Sequence, residues 1–186
     1  MTARLFLTLL LLLPSVTIAS EKRLNQADFP QQMEVDGQTL VLRNASVLNY
    51  LFVDVYSAAL LTPEEQALDQ LPYSDNPMHL ELFYYRNIAR DDVIKAAWVA
   101  LERQYDQATL TRLRPAINEL HQTFSDIQPE DRYSLTLDSR QQLSLRYNGD
   151  EIFTSTDPEL GQTYIGIWLK ENGLSDRLRN QLIAER

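Results

Sequence analysis

The sequence predicts an α+β fold in which one antiparallel sheet carries helices on one face. Two turn dipeptides, Asp36-Gly37 and Asn148-Gly149, lie between short apolar segments, which is typical of β-hairpins. Apolar side chains recur at helical spacing between Asp91 and Tyr105 and again after Asp157-Pro158. Because predicted strands and helices come in separate blocks, the expected architecture is a sheet with a helical layer.

Three regions account for the predicted strands. A hairpin covers 33–42, an alternating strand covers 78–86, and a three-stranded meander covers 132–155. The segment 48–61, LNYLFVDVYSAALL, is expected to be one continuous strand. We expect its more uniformly apolar face, which bears Leu51, Val55 and Leu61 among others, to pack on the helices. Asp54 would then point to the opposite face, which bears the tyrosines, unless a bulge reverses the assignment.

Helices are predicted in five places. A short helix lies near 63–71, a long one at 91–105, and a second long one at 110–124 with an interruption at Pro115. Asp157 is expected to cap a helix that begins at Pro158 and closes by Gly173. Ser175 is expected to begin a last short helix. Trp98 and Trp168 lie on apolar helical faces and are predicted to be core residues.

The N-terminus resembles a secretory signal peptide. Arg4 precedes the apolar run Leu5–Leu13, and Thr17-Ile18-Ala19 is typical of the approach to a cleavage site. The run is too short to span a bilayer in the ordinary way, although an uncleaved anchor is the alternative. We therefore predict a signal peptide over 1–20, a domain over 21–186, and a periplasmic or secreted protein without an integral membrane segment after processing.

Composition narrows the function classes. The chain carries 17 basic and 26 acidic side chains, a formal net charge of −9, and no cysteine. That acidity disfavours nucleic acids and anionic membrane surfaces as partners. No phosphate-binding glycine loop and no hydrolase nucleophile motif occurs, so no cofactor is expected. His79 and His121 lack ligand spacing, so we predict surface or edge histidines and no metal site.

Four segments, in order, resemble the chalcone isomerase-like family. FVDVYSAALL at 52–61 is similar to its signature strand, and LELFYYRNI at 80–88 to its strand ending in Arg-Asp-Ile. FSDI at 124–127 followed by DRY at 131–133, and IWL at 167–169, match two later family segments. The resemblance covers about 30–184. It implies an open-faced β-sandwich, a large antiparallel sheet covered by a layer of helices.

The resemblance also implies a choice of functions. Plant enzymes of the family close a chalcone to a flavanone with the help of an arginine shortly before the signature strand, whereas related members bind fatty acids without catalysis. In the binders, that arginine and the signature-strand tyrosine hold the carboxylate. The tyrosine is present here as Tyr56. Positions 47–51 hold no arginine, Arg43 is the nearest candidate, and Asp54 replaces the usual lysine.

Three hypotheses follow. The first is a non-catalytic protein that binds a fatty acid or similar amphipathic molecule between sheet and helices. Its predicted ligand-binding residues are Tyr56, Arg43, Arg86, Tyr50 and Tyr84. The second is a cofactor-free isomerase of the chalcone–flavanone type, which needs a guanidinium beside Tyr56. The third is a structural or protein-binding module. For Arg86, the alternative to a ligand-binding role is an ion pair with Asp91 or Asp92.

Overall fold

A computed structural model describes residues 15–71 and 73–185, and it shows one seven-stranded antiparallel sheet. The strands follow chain order from edge to edge, so each strand pairs with its neighbours in sequence. They are β1 Gln32–Val35, β2 Gln38–Tyr50, β3 Val53–Thr62, β4 Met78–Tyr84, β5 Arg132–Leu137, β6 Leu143–Tyr147 and β7 Asp150–Ser155.

Five α-helices in the described part of the chain accompany the sheet. They are α1 Ser15–Ala27, α2 Arg90–Gln104, α3 Gln107–Gln122, α4 Pro158–Leu169 and α5 Asp176–Leu182, and a short 3-10 helix covers Leu68–Gln70. The predicted α+β class, both hairpins and the meander are confirmed. The caps also form as predicted, because Asp157 accepts from the Glu159 amide and Ser175 from the Leu178 amide.

Two apolar cores lie on opposite faces of the sheet. The larger joins the inner face to α2, α3, α4 and α5, and it includes Leu60, Leu82 and Leu135 from the sheet. The smaller joins the outer face to the end of α1, where Ala27 and Phe29 meet Leu61 and Phe83. Helices therefore contact both faces, which corrects the expectation of a layer on one face only.

The segment 48–61 is two strands and not one. A turn at Leu51-Phe52 joins β2 to β3, and both residues have positive φ, 46° and 66°. Farther along, Leu48 pairs with Tyr56 and Asn49 with Asp54, so Val55 is bulged out of the ladder. Beyond the bulge, Tyr56, Ala58 and Leu60 belong to the larger core, while Ala59 and Leu61 belong to the smaller. The predicted face assignment is therefore wrong.

Pro115 does not interrupt its helix. α3 runs through this exposed residue from Gln107 to Gln122. Leu113 and Ile117 are buried on either side of it, and their packing keeps the helix continuous despite the missing amide.

The predicted signal peptide lies partly outside the described residues. Positions 1–14 are not described, and 15–20 belong to α1, which continues to Ala27. No helix within the described part of the chain is long and apolar enough to cross a membrane.

Candidate ligand-binding cleft

A cleft of about 890 Å³ lies between the inner face of the sheet and the helical layer. Its size falls within the range of small-molecule sites. The cleft exists where α2 approaches the sheet, because α2 presents Val93, Ala96 and Ala97 there and these side chains are too small to fill the gap.

The floor of the cleft consists of buried aromatic and aliphatic side chains. It is formed by Tyr56, Leu82, Tyr84, Phe124, Tyr133, Leu135, Leu145, Tyr164 and Ile167. The ring centroids of Tyr56 and Tyr84 are 5.2 Å apart, and those of Tyr84 and Tyr133 are 6.2 Å apart. The only polar atoms that these side chains carry are the tyrosine hydroxyls.

The four floor hydroxyls differ in what they contact. Tyr56 accepts a hydrogen bond from Trp168 Nε1 at 3.0 Å, and Tyr133 accepts from the Ser125 amide at 3.4 Å. The Tyr164 hydroxyl lies 3.1 Å from His121 Nε2. The Tyr84 hydroxyl has no hydrogen-bond partner among the described residues.

Burial keeps these phenols neutral. It raises the pKa of Tyr56 and of Tyr84 well above the ordinary tyrosine value, and it does the same for Tyr164. The Tyr56 hydroxyl oxygen accepts the hydrogen bond from Trp168, so its own O–H can still donate to another group. Tyr56 and Tyr84 can therefore each donate one hydrogen bond to a ligand oxygen in an otherwise apolar floor.

His121 supports the floor from behind and is not a surface residue. Its side chain is buried against Trp98, Phe124 and Tyr164. Burial, and secondarily the positive charge of Arg90, lowers the pKa of His121 to about 4. His79 is buried as well, with Nδ1 2.8 Å from Thr136 Oγ1. Both positions correct the predicted surface or edge histidines, because each ring has a polar partner inside the fold.

The rim of the cleft is defined by its exposed lining residues. They are Asn49, Tyr50, Leu51, Arg86, Asn87, Asp92 and Ala96. Arg86 is the one cation among the lining residues, and its Nε donates to the Asp54 carbonyl at 3.2 Å. That bond anchors the guanidinium beside β3, and the predicted ion pair with Asp91 or Asp92 is absent from the described part of the chain.

Four of the five predicted ligand-binding residues line this cleft. Tyr56 and Tyr84 belong to the floor, and Tyr50 and Arg86 belong to the rim. Arg43 lies elsewhere. Its Nη1 donates to the carbonyls of Pro63 and Gln66 at 3.0 and 2.9 Å, so it fastens the loop after β3.

Asp54 lies on the outer face and not beside Tyr56. It forms an ion pair with Arg23 of α1 at 2.8 Å and accepts a hydrogen bond from Asn49. Arg23 also lies over the Tyr85 ring, 4.3 Å from its centroid. The bulge at Val55 turns Asp54 away from the cleft, so this acid holds α1 against the sheet.

Several side chains that line the cleft were not predicted from the sequence, among them Tyr133, Tyr164 and Trp168. These three were assigned to strands or to helical apolar faces. Trp168 packs against the core as predicted, but its indole also reaches the cleft and bonds Tyr56. The available signal was the clustering of aromatic residues on the inner strand positions and on α4.

The sequence model described as chalcone isomerase-like matches residues 21–184. The chain belongs to the chalcone isomerase-like family. The match contains all seven strands and every residue that lines the cleft, so the site described above lies wholly within the family domain.

Among solved structures, the chain is similar to a fatty-acid binding protein from Arabidopsis thaliana. The two share 14% sequence identity with a TM-score of 0.63, over 83% of this chain and 90% of the plant protein. This likeness establishes the chalcone isomerase-like fold. No curated protein matches the sequence.

Proposed function

We propose that this chalcone isomerase-like protein binds a fatty acid or a similar amphipathic molecule in the cleft, without catalysis. The observation that carries the proposal is the cleft itself, about 890 Å³ with an apolar, tyrosine-bearing floor and a cation at its rim. A structural or protein-binding role would not require such a space in the core.

The distribution of charge favours one orientation of the ligand. The floor holds no charged side chain, and burying an unpaired carboxylate there would be costly. At the rim, Arg86 can pair with a carboxylate. We therefore expect the hydrocarbon chain on the floor and the carboxylate at Arg86. In a ligand that carries a second polar group, that group would lie within reach of Tyr56 and Tyr84.

An isomerase of the chalcone–flavanone type has less support. That chemistry needs a cation beside Tyr56 to stabilise the developing negative charge. Arg43, the predicted candidate, is engaged with the loop after β3, and Arg86 lies at the exposed rim. The neutral phenols of the floor would have to supply the stabilisation alone.

The proposal includes an exported, periplasmic or secreted location. It is supported by the apolar run Leu5–Leu13 behind Arg4. Fractionation of cells that produce the full chain, with mass analysis of the N-terminus, tests it. A cytoplasmic protein that retains residues 1–20 would contradict the location without affecting the binding proposal.

Calorimetric titration tests the binding. Saturated fatty acids are compared with fatty alcohols of equal chain length, using wild type, Arg86→Gln, and Arg146→Gln as a matched exposed arginine outside the cleft. We expect Arg86→Gln to weaken fatty-acid binding about tenfold, since one charge-assisted contact is lost, and to leave alcohol binding unchanged. Absence of binding by wild type would contradict the function, and equal affinities in all three proteins would contradict the orientation.

A further inference from the structure

The turn between β2 and β3 exposes three consecutive apolar side chains, which we call the apolar tip. Tyr50, Leu51 and Phe52 are 68%, 75% and 104% exposed. The other large exposed hydrophobic residues among those described, Tyr73 and Val99, are isolated in sequence from the tip and from each other. Isolated exposed apolar residues are ordinary, but three together are not.

The backbone of the apolar tip gives no structural reason for these residues. Leu51 and Phe52 both have positive φ, a conformation that asparagine and glycine adopt with less strain. Two other tight hairpins among the described residues use Asp36-Gly37 and Asn148-Gly149 at the equivalent turn. The tip thus has two bulky side chains where the turn favours small ones. Packing does not explain this at Phe52, because its side chain is fully exposed.

The position of the apolar tip connects it to the cleft. Tyr50 and Leu51 are part of the rim, whereas Phe52 does not line the cleft. An apolar surface therefore continues from the floor, across the rim, to the outermost point of the hairpin. A hydrocarbon chain that leaves the cleft beside the tip would cross little polar surface.

The size and chemistry of the apolar tip favour a lipid surface over a protein partner. Its side chains expose roughly 400 to 500 Å², judged from typical aromatic areas, whereas a stable protein interface buries about 800 Å² on each partner. A tyrosine followed by leucine and phenylalanine suits a bilayer interface. The Tyr50 phenol would lie among the headgroups, and the Leu51 and Phe52 side chains would lie deeper. The acidic chain, and a rim whose exposed lining includes one cation, Arg86, and one acid, Asp92, favour a lipid layer without net charge.

We propose that the apolar tip inserts into the surface of a net-neutral lipid layer and places the rim of the cleft against it. Ligand then passes between the layer and the cleft without crossing bulk water. The transfer step rests on the proposed function, but insertion of the tip does not.

Flotation with phosphatidylcholine vesicles tests insertion directly. The proteins are wild type, Phe52→Gly, Phe52→Trp and the control Tyr73→Ser, which removes another exposed aromatic residue, outside the apolar tip. We expect Phe52→Gly to reduce the vesicle-bound fraction about tenfold, through loss of one aromatic side chain from the lipid. Phe52→Trp and Tyr73→Ser should bind as wild type does, and the new tryptophan should shift its emission to the blue with vesicles.

Transfer of a fluorescent fatty acid from the same vesicles to the protein tests whether ligand passes from the lipid layer into the cleft. We expect the wild-type rate to rise with vesicle concentration and Phe52→Gly to lose that dependence, while its equilibrium affinity in solution stays unchanged because Phe52 does not line the cleft. If wild type and Phe52→Gly float equally, or if Phe52 instead mediates a dimer seen by light scattering, the proposal is overturned. Flotation without any fatty-acid binding in solution would support insertion and contradict the proposed function.

Discussion

Tyr56 and Tyr84 face each other across one strand pair but have different hydrogen bonds. Tyr56 accepts from Trp168, whereas the Tyr84 hydroxyl has no hydrogen-bond partner among the described residues. We expect Tyr56→Phe to lower the free energy of unfolding by about 1 kcal/mol, because Trp168 Nε1 loses its partner. Tyr84→Phe should change it by less than about 0.5 kcal/mol.

Urea denaturation of the two unliganded variants measures this difference. Equal losses of stability would show that the Tyr56–Trp168 bond contributes nothing beyond packing. If Tyr84→Phe were the more damaging variant, the free hydroxyl assigned to Tyr84 would be wrong.

His121 makes stability depend on pH. Its folded pKa of about 4 lies below the ordinary value of 6.5, so the unfolded chain binds the proton more tightly. The stability that depends on a neutral His121 is present in full above about pH 6.5. As the pH falls toward 4, the free energy of unfolding decreases by up to about 3 kcal/mol. The free energies of unfolding of wild type and His121→Gln should therefore converge as the pH falls from 7 to 4.

Denaturation curves at several pH values, at constant ionic strength, test the histidine. Carboxylates also protonate in this range, so the difference between the two proteins is the quantity to follow. Parallel pH profiles would mean that His121 titrates equally in the folded and unfolded chains.

At the scale of the elements, the apolar tip is expected to reduce stability. Phe52 is held at φ 66°, where a Cβ atom is unfavourable. We expect Phe52→Gly to raise the free energy of unfolding by about 1 kcal/mol. Phe52→Ala is the matched control, since it removes the ring but keeps the Cβ. An equal gain in both variants would attribute the effect to the exposed ring and not to backbone strain.

The same turn shows what the sequence could and could not predict about the elements. Asp36-Gly37 and Asn148-Gly149 were recognised because residues suited to positive φ mark those hairpins. Leu51-Phe52 carries no such mark, so β2 and β3 were merged into one strand. The bulge at Val55 carries no mark either, so Asp54 and Tyr56 were predicted on the same face although the bulge separates them.

At the scale of the whole molecule, the α+β class was predictable because strands and helices follow their own periodicities in separate blocks. The cleft was not predictable from such patterns. Tyr164 and Ile167 have the spacing of a buried helical face whether they meet another side chain or a cavity. The small side chains that α2 presents, Val93, Ala96 and Ala97, leave the space open, and their effect depends on how α2 meets the sheet.

Native mass spectrometry is the most direct test of whether the cleft holds an amphipathic ligand. The protein is purified from the cells that produce it, its intact mass is measured, and bound molecules are then extracted under denaturing conditions. The comparison is Ala97→Phe, in which the larger side chain fills the cleft. Circular dichroism first checks that this variant is folded. We predict one bound lipid-like molecule per wild-type chain and none in the filled variant. A bare wild-type mass that takes up no added fatty acid, or equal occupancy in a folded Ala97→Phe, would contradict the account.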